Sequence, residues 1–217
     1  MTKPGLLIFA LLAAAASCVA AVAGSDVDAR LQAGEVVALE PLPAPEGQGP
    51  DHWPGGMARM QMLVQAPART VWAVIVSCDQ AYRFLAGLQS CEVLEESNGR
   101  ALVHQVIDQG WYMPRYDFVF ESLREPYERI RVALVRGNLE RLEGSWRFEE
   151  TPAGTLVEHQ LAINPAGPVP QFLVRRNLTG TLPDMLACVR ALAQGSGSEE
   201  LRDRDLARCQ PAATAPG

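Results

Sequence analysis

Lysine is almost missing from this chain: Lys3 is the only one in 217 residues, and arginine supplies every other positive charge. With 19 Lys and Arg against 25 Asp and Glu, the formal net charge is −6, and no basic cluster stands out. An acidic chain of this kind is poorly suited to a phosphate backbone, so nucleic acid is not an expected partner. Strong electrostatic docking on anionic lipid is disfavoured for the same reason. Catalytic signatures are also absent: there is no Gly-x-Ser-x-Gly nucleophile elbow, no His-Glu-x-x-His, no Walker A loop and no Gly-x-Gly-x-x-Gly after a strand. The cysteines include no Cys-x-x-Cys pair, which removes the usual redox and structural zinc arrangements. No metal and no cofactor is therefore expected. The three histidines, His52, His104 and His159, are scattered.

What is present begins with an export pattern. Lys3 supplies the positive end, Leu6 to Ala16 is an apolar and small-residue run, and Ala21-Val22-Ala23 before Gly24 has the small-x-small form of a cleavage site. Residues 1–23 read as a signal peptide and the mature chain as periplasmic. A second option is lipidation at Cys18, although the bulky residue expected three positions earlier is Ala15. Four cysteines remain beyond the signal, an even number in a chain bound for an oxidising compartment. Cys78 with Cys91 and Cys188 with Cys209 are the preferred pairs, because each brackets one local turn; buried free thiols are the alternative.

Residues 24–56 form an extension rich in Pro and Gly, with one strand expected near Gly34 to Glu40, and Trp53 reads as a pin for the loop. Met60, Met62 and Val64 then alternate with polar neighbours as in a half-buried strand. Two short helices follow, one carrying Val71, Trp72, Ile75 and Val76, the other Tyr82, Phe84, Leu85 and Leu88. From Cys91 to Ile163 a series of strands is punctuated by Ser97-Asn98-Gly99, Pro114, Glu125-Pro126, Arg136-Gly137-Asn138 and Pro152-Ala153-Gly154. Between Ala101 and Tyr112 apolar residues occur at both parities, so either His104 or Gln105 can face inward. The paired acids Glu95-Glu96 and Glu149-Glu150 point to opposite faces of their strands and read as solvated charges.

Pro168 to Ala193 closes the domain. Phe172, Leu173, Leu178, Leu182, Met185, Leu186, Val189 and Leu192 form a stripe at helical spacing, with Arg175, Arg176, Asp184 and Arg190 largely off it. Pro183 predicts a kink or restart near Thr181. The antiparallel meander has one apolar face, and only this helix is long enough to cover it. Past Gln194, residues 195–217 read as a flexible tail with a short charged helix from Glu199 to Arg208.

Val64-Gln-Ala-Pro67, Val71-Trp72, the polar break Cys78-Asp79, Phe84 and Cys91-Glu-Val-Leu94 together resemble the opening of the START-like (SRPBCC) superfamily, which contains polyketide cyclase/dehydrase and coenzyme Q-binding domains. Val169-Pro170 through Ala193 is similar to that family's C-terminal helix, so the resemblance spans about residues 57–194. It implies an α+β helix-grip fold, in which a curved antiparallel sheet wraps a long C-terminal helix around a hydrophobic cavity. Leu85-Ala86-Gly87 stands where many members have proline after the aromatic of the second helix.

On that fold the aromatics Trp111, Tyr112, Tyr116, Phe118, Phe120, Trp146 and Phe148 are the candidate cavity lining, together with His159, Phe172, Leu178, Leu182 and Met185. Arg115 is a candidate at the mouth for a head group or carboxylate. The expected function is non-enzymatic binding or transport of a lipid, quinone or polycyclic compound by a monomer, with transient membrane contact for ligand exchange. The alternative is an aromatase/cyclase in which His159, Tyr112, Tyr116 or Arg115 orients a polyketide and moves a proton. A third option is an envelope interaction module whose closed core binds nothing.

Overall fold

The computed structural model describes residues 26–42, 56–111, 113–194 and 199–210. The expected signal peptide, Cys18, His52, Trp53, Tyr112, the Gly195–Ser198 run and the last seven residues lie outside that set. Helical residues 26–32 (α1) lead into β1 (Val37–Leu39), β2 (Gly56–Val64), α2 (Ala68–Val76) and α3 (Cys78–Phe84). Six further strands follow: β3 (Leu88–Ser97), β4 (Arg100–Ile107), β5 (Tyr116–Glu125), β6 (Arg129–Gly137), β7 (Leu139–Thr151) and β8 (Gly154–Pro165). The chain then enters α4 (Gln171–Ala193) and α5 (Glu199–Leu206).

All eight strands form one antiparallel sheet in the order β1-β2-β8-β7-β6-β5-β4-β3. The meander from β3 to β8 is therefore continuous, and the early strand β2 docks beside the last one. Local chemistry sets the turns. Asn98 and Gly99 both take positive φ, 48° and 73°, which is the two-residue hairpin geometry that an Asn-Gly pair favours. After β4, the Asp108 carboxylate accepts from Gly110 N at 2.9 Å and Gly110 sits at φ 90°, so the strand ends at Ile107 rather than running on to residue 112.

The short helices are capped by side chains. Ser77 Oγ accepts from Gln80 N at the start of α3. Glu150, read from sequence as a solvated charge, instead accepts from Ala68 N at 3.1 Å and so caps α2 from the neighbouring strand. Tyr82 in α3 accepts from Cys91 N at 3.1 Å, and the Cys78–Cys91 disulfide ties the same helix to β3.

Val174, Leu178, Leu182, Met185, Leu186 and Val189 form the buried stripe of α4. The helix passes so close to β2 that a Cβ on Gly56 would stand 2.7 Å from Leu178 Cδ1. It is continuous through Pro183, without the expected restart. Phe172 departs from the stripe and is 68% exposed. Arg190 departs in the other direction. It is buried and ion-paired with Asp205 at 2.7 Å, both side chains 1% exposed. The reason is α5: the segment read as a flexible tail folds back over the far side of α4. It is fixed there by the Cys188–Cys209 disulfide and by Arg208 with Asp184 at 2.6 Å. Both expected disulfide pairings are present, and two disulfides fit an oxidising compartment. Among the described residues no helix is long and apolar enough to cross a membrane.

Candidate functional site: a cavity under the curved sheet

Strand alternation delivers a row of inward side chains from each strand of the meander, and the register aligns them across the sheet. Ile130, Trp146 and His159 lie in one row, as do Ser122 and Val132 in the next. Above them the C-terminal end of α2 and all of α3 contribute Ile75, Ala81, Phe84 and Leu85, and α4 contributes Met185. These side chains do not meet. They border a partly open cavity of about 180 Å³, walled also by Phe118, Phe120, Leu142, Leu161, Ile163 and the Cys78–Cys91 disulfide.

Few polar groups reach this space, and most are already engaged. Gln105 faces inward, which resolves the ambiguous parity of β4, and its amide lies 3.7 Å from Cys91 Sγ. His104 faces outward and meets Asp117 at 2.9 Å. Ser122 Oγ accepts from Arg124 Nε at 3.3 Å, and the Arg124 guanidinium also pairs with Glu96. Glu96, too, is thus more than a solvated charge.

His159 is different. It is 4% exposed, stacks on Trp146 with ring centroids 3.8 Å apart, and its Nδ1 lies 3.0 Å from the Ser145 carbonyl oxygen. A carbonyl only accepts, so Nδ1 carries the hydrogen and Nε2 keeps its lone pair. Burial pushes the imidazole down from its ordinary 6.5 to about 4, and the bond to Ser145 opposes that only in part. His159 is therefore a neutral acceptor on the cavity wall, and its hydrogen bond to the protein runs through Nδ1.

A model of the family described as polyketide cyclase / dehydrase and lipid transport matches residues 64–190, more than half of the chain. The chain belongs to this family. Its fold is similar to that of several solved structures. A STAR-related lipid transfer protein from Xanthomonas axonopodis is 18% identical, with 73% of this chain and 99% of that one covered at a TM-score of 0.58. A START superfamily protein from Mycobacterium smegmatis is 20% identical over 62% of this chain and 94% of that one, with a TM-score of 0.51. The di-domain ARO/CYC protein StfQ of the steffimycin biosynthetic pathway is 12% identical over 63% and 50%, with a TM-score of 0.53. At these identities the likeness shows the helix-grip fold. No curated protein matches the chain in sequence.

Within this polyketide cyclase and lipid transport fold, Phe118, Phe120, Trp146, His159 and Met185 come together on the cavity wall. Other sequence candidates lie elsewhere. Phe148 packs against Trp72 in the main core, at 5.5 Å between rings. Leu178 and Leu182 are buried in that core as well, on the side of α4 that meets β2. Tyr116 does not line the cavity; it sits in a cluster with Met113, Phe118, Leu139 and Leu142, where burial pushes its phenol up and its hydroxyl has no partner among the described residues. Trp111 is 99% exposed on the loop after β4, and Arg115 is exposed beside Asn138, which donates to its carbonyl. Sequence reading missed Phe84, Gln105, Ser122 and Arg124. The last two extend the parity of Tyr116, Phe118 and Phe120 by two and four positions, so the signal was the strand continuing past its aromatics.

Proposed function

We propose that the protein binds a small hydrophobic molecule in this cavity and carries it without transforming it. The observation that carries the reading is the unfilled space itself, walled by Phe84, Phe118, Phe120, Trp146 and branched aliphatic side chains. Apolar voids of about 150 Å³ in protein interiors hold a benzene-sized guest, whereas whole drug-sized ligands occupy about 300 Å³ or more. The volume of about 180 Å³ thus suits a single ring, or the leading part of a longer lipid, better than an entire long acyl chain. The two disulfides support a periplasmic setting for the carrier, in keeping with the export pattern of residues 1–23.

The aromatase/cyclase reading draws on one observation, the lone pair that His159 keeps on Nε2. A group that protonates only near pH 4 is a weak base for removing a proton at neutral pH. No second acid or base in the wall is unengaged among the described residues, since Arg124 is held by Glu96 and Ser122. Binding without chemistry is the better-supported reading.

Native mass spectrometry of protein purified from its own cell envelope tests it, with uptake of an environment-sensitive naphthylamine dye as the second readout. Val132→Phe projects a ring into the void and should abolish dye uptake while leaving the fold intact. A protein that is always empty and takes up no dye, or a Val132→Phe variant that binds as well as the wild type, overturns the proposal.

A further inference from the structure

Around His159 the cavity wall is apolar. His159 is flanked in the sheet by Met60 on β2 and Trp146 on β7, and its same-face neighbours on β8 are Val157 and Leu161. Its tautomer is fixed by the Ser145 carbonyl, so Nε2 offers a lone pair and no hydrogen. The ring stacked on His159 is the indole of Trp146, whose N–H can only donate. A lone water is poorly held beside such groups, because an ordered buried water ordinarily needs about two to four polar partners. A ring that brings its own apolar body needs only one polar contact.

Resting on the carrier reading above, we propose that His159 selects the ligand's class: a ring compound bearing a hydroxyl, of the phenol type, whose O–H donates to His159 Nε2 while the ring lies among Phe120, Ile130, Trp146 and Leu161. A hydroxyl both donates and accepts, so it is matched to an acceptor standing in a stack with an indole donor. A carbonyl or ether oxygen presented to Nε2 sets two acceptors against each other and leaves a dry lone pair unsatisfied, which is the costly case. His159 is thus a specificity-determining residue rather than a catalytic one.

The test compares para-cresol with para-methylanisole, the same ring with its donor hydrogen replaced by methyl, by isothermal titration calorimetry on the disulfide-bonded protein at pH 7. Wild type should bind para-cresol about tenfold more tightly, although the ether is the more hydrophobic of the two. The ¹⁵N resonance of His159 Nε2 should move on adding the phenol and not on adding the ether. In His159→Leu the preference should vanish or reverse. Equal binding of both compounds to wild type, or a preference that survives in His159→Leu, overturns the assignment. The wild-type comparison stands alone if the variant does not fold. Failure of both ring compounds while the naphthylamine dye still binds overturns this inference and leaves the carrier reading intact. Failure of all three overturns both.

Discussion

Protonating His159 in the folded protein requires placing a charge in a dry wall, and the cost of that is measurable as a pH dependence of stability. The unfolded chain holds the imidazole near its ordinary 6.5, whereas burial lowers it to about 4 in the folded chain, a gap worth about 3 kcal/mol at about 1.4 kcal/mol per unit. The folded value is the lower one, so between pH 4 and 6.5 the unfolded state takes up a proton that the native state refuses. Stability from this source is fully present above pH 6.5 and is lost progressively as the pH falls, the loss being complete near pH 4. Carboxylates titrating over the same range are common to wild type and variant, so the difference from His159→Leu isolates the imidazole. Urea unfolding of both proteins from pH 7.5 to 4.5, disulfides intact, should show wild type losing about 2 kcal/mol or more relative to the variant. An NMR titration should find the His159 ring neutral at pH 5. Parallel unfolding curves, or a ring that titrates near its ordinary value, would refute the claim that the wall is dry at this point. They would also remove the fixed acceptor on which ligand selection rests.

Three perturbations test the supports of the site. Asp205→Ala leaves Arg190 buried without its counter-charge and should cost about 3–5 kcal/mol, read as a loss of cooperative thermal unfolding at the wild-type temperature. Replacing Cys78 and Cys91 together by Ala should cost about 3 kcal/mol from the reopened loop, and dye affinity should fall because the same bridge lines the cavity. Gly87→Ala should destabilise by about 1 kcal/mol or more, since Gly87 takes φ +77° and a Cβ there would collide with the Asp108 carbonyl oxygen. An unchanged unfolding midpoint in any of these would show that the named contact does not support the fold.

How far the sequence carried depended on whether the deciding interaction was local. The strands were legible because period-two alternation and turn residues are local, and at the Asn98-Gly99 hairpin the dipeptide sets the pairing beside the turn, before two shifts change the register farther along β3. Both disulfides were legible because each closes a short excursion, over separations of 13 and 21 residues. The helix stripe was legible over its central turns, where one face meets β2. It failed at Phe172, which stays exposed, and at Arg190, where the deciding contact is with α5. The cavity was half legible. Parity placed Phe118, Phe120, Trp146 and His159 on the inner face, but parity does not say which inner residues touch one another across the core and which stop short. Trp111 shows the opposite failure: an aromatic in an apolar run reads as strand, yet the Asp108 and Gly110 turn had already ended β4.

The cavity follows from a mismatch of widths. Eight strands about 4.8 Å apart make a sheet roughly 34 Å across, while one helix with its side chains covers about 10 Å. α4 spends its apolar stripe on β2, near one end of the strand order, and α2 and α3 lie beside it. The remaining strands can lose their apolar face to solvent, fill it with larger side chains, or curl over. Curling closes the surface but brings Val103, Ser122, Ile130 and Val132 to a distance that their short side chains do not span. Filling the space would take larger side chains at a few such positions, well within what strand geometry tolerates. The void is thus a property of the residues chosen and not a necessity of the fold. For that reason the carrier reading stands or falls on Val132→Phe: a fold that accepts the added ring and loses its guest shows that the space, rather than the surrounding scaffold, is what binds.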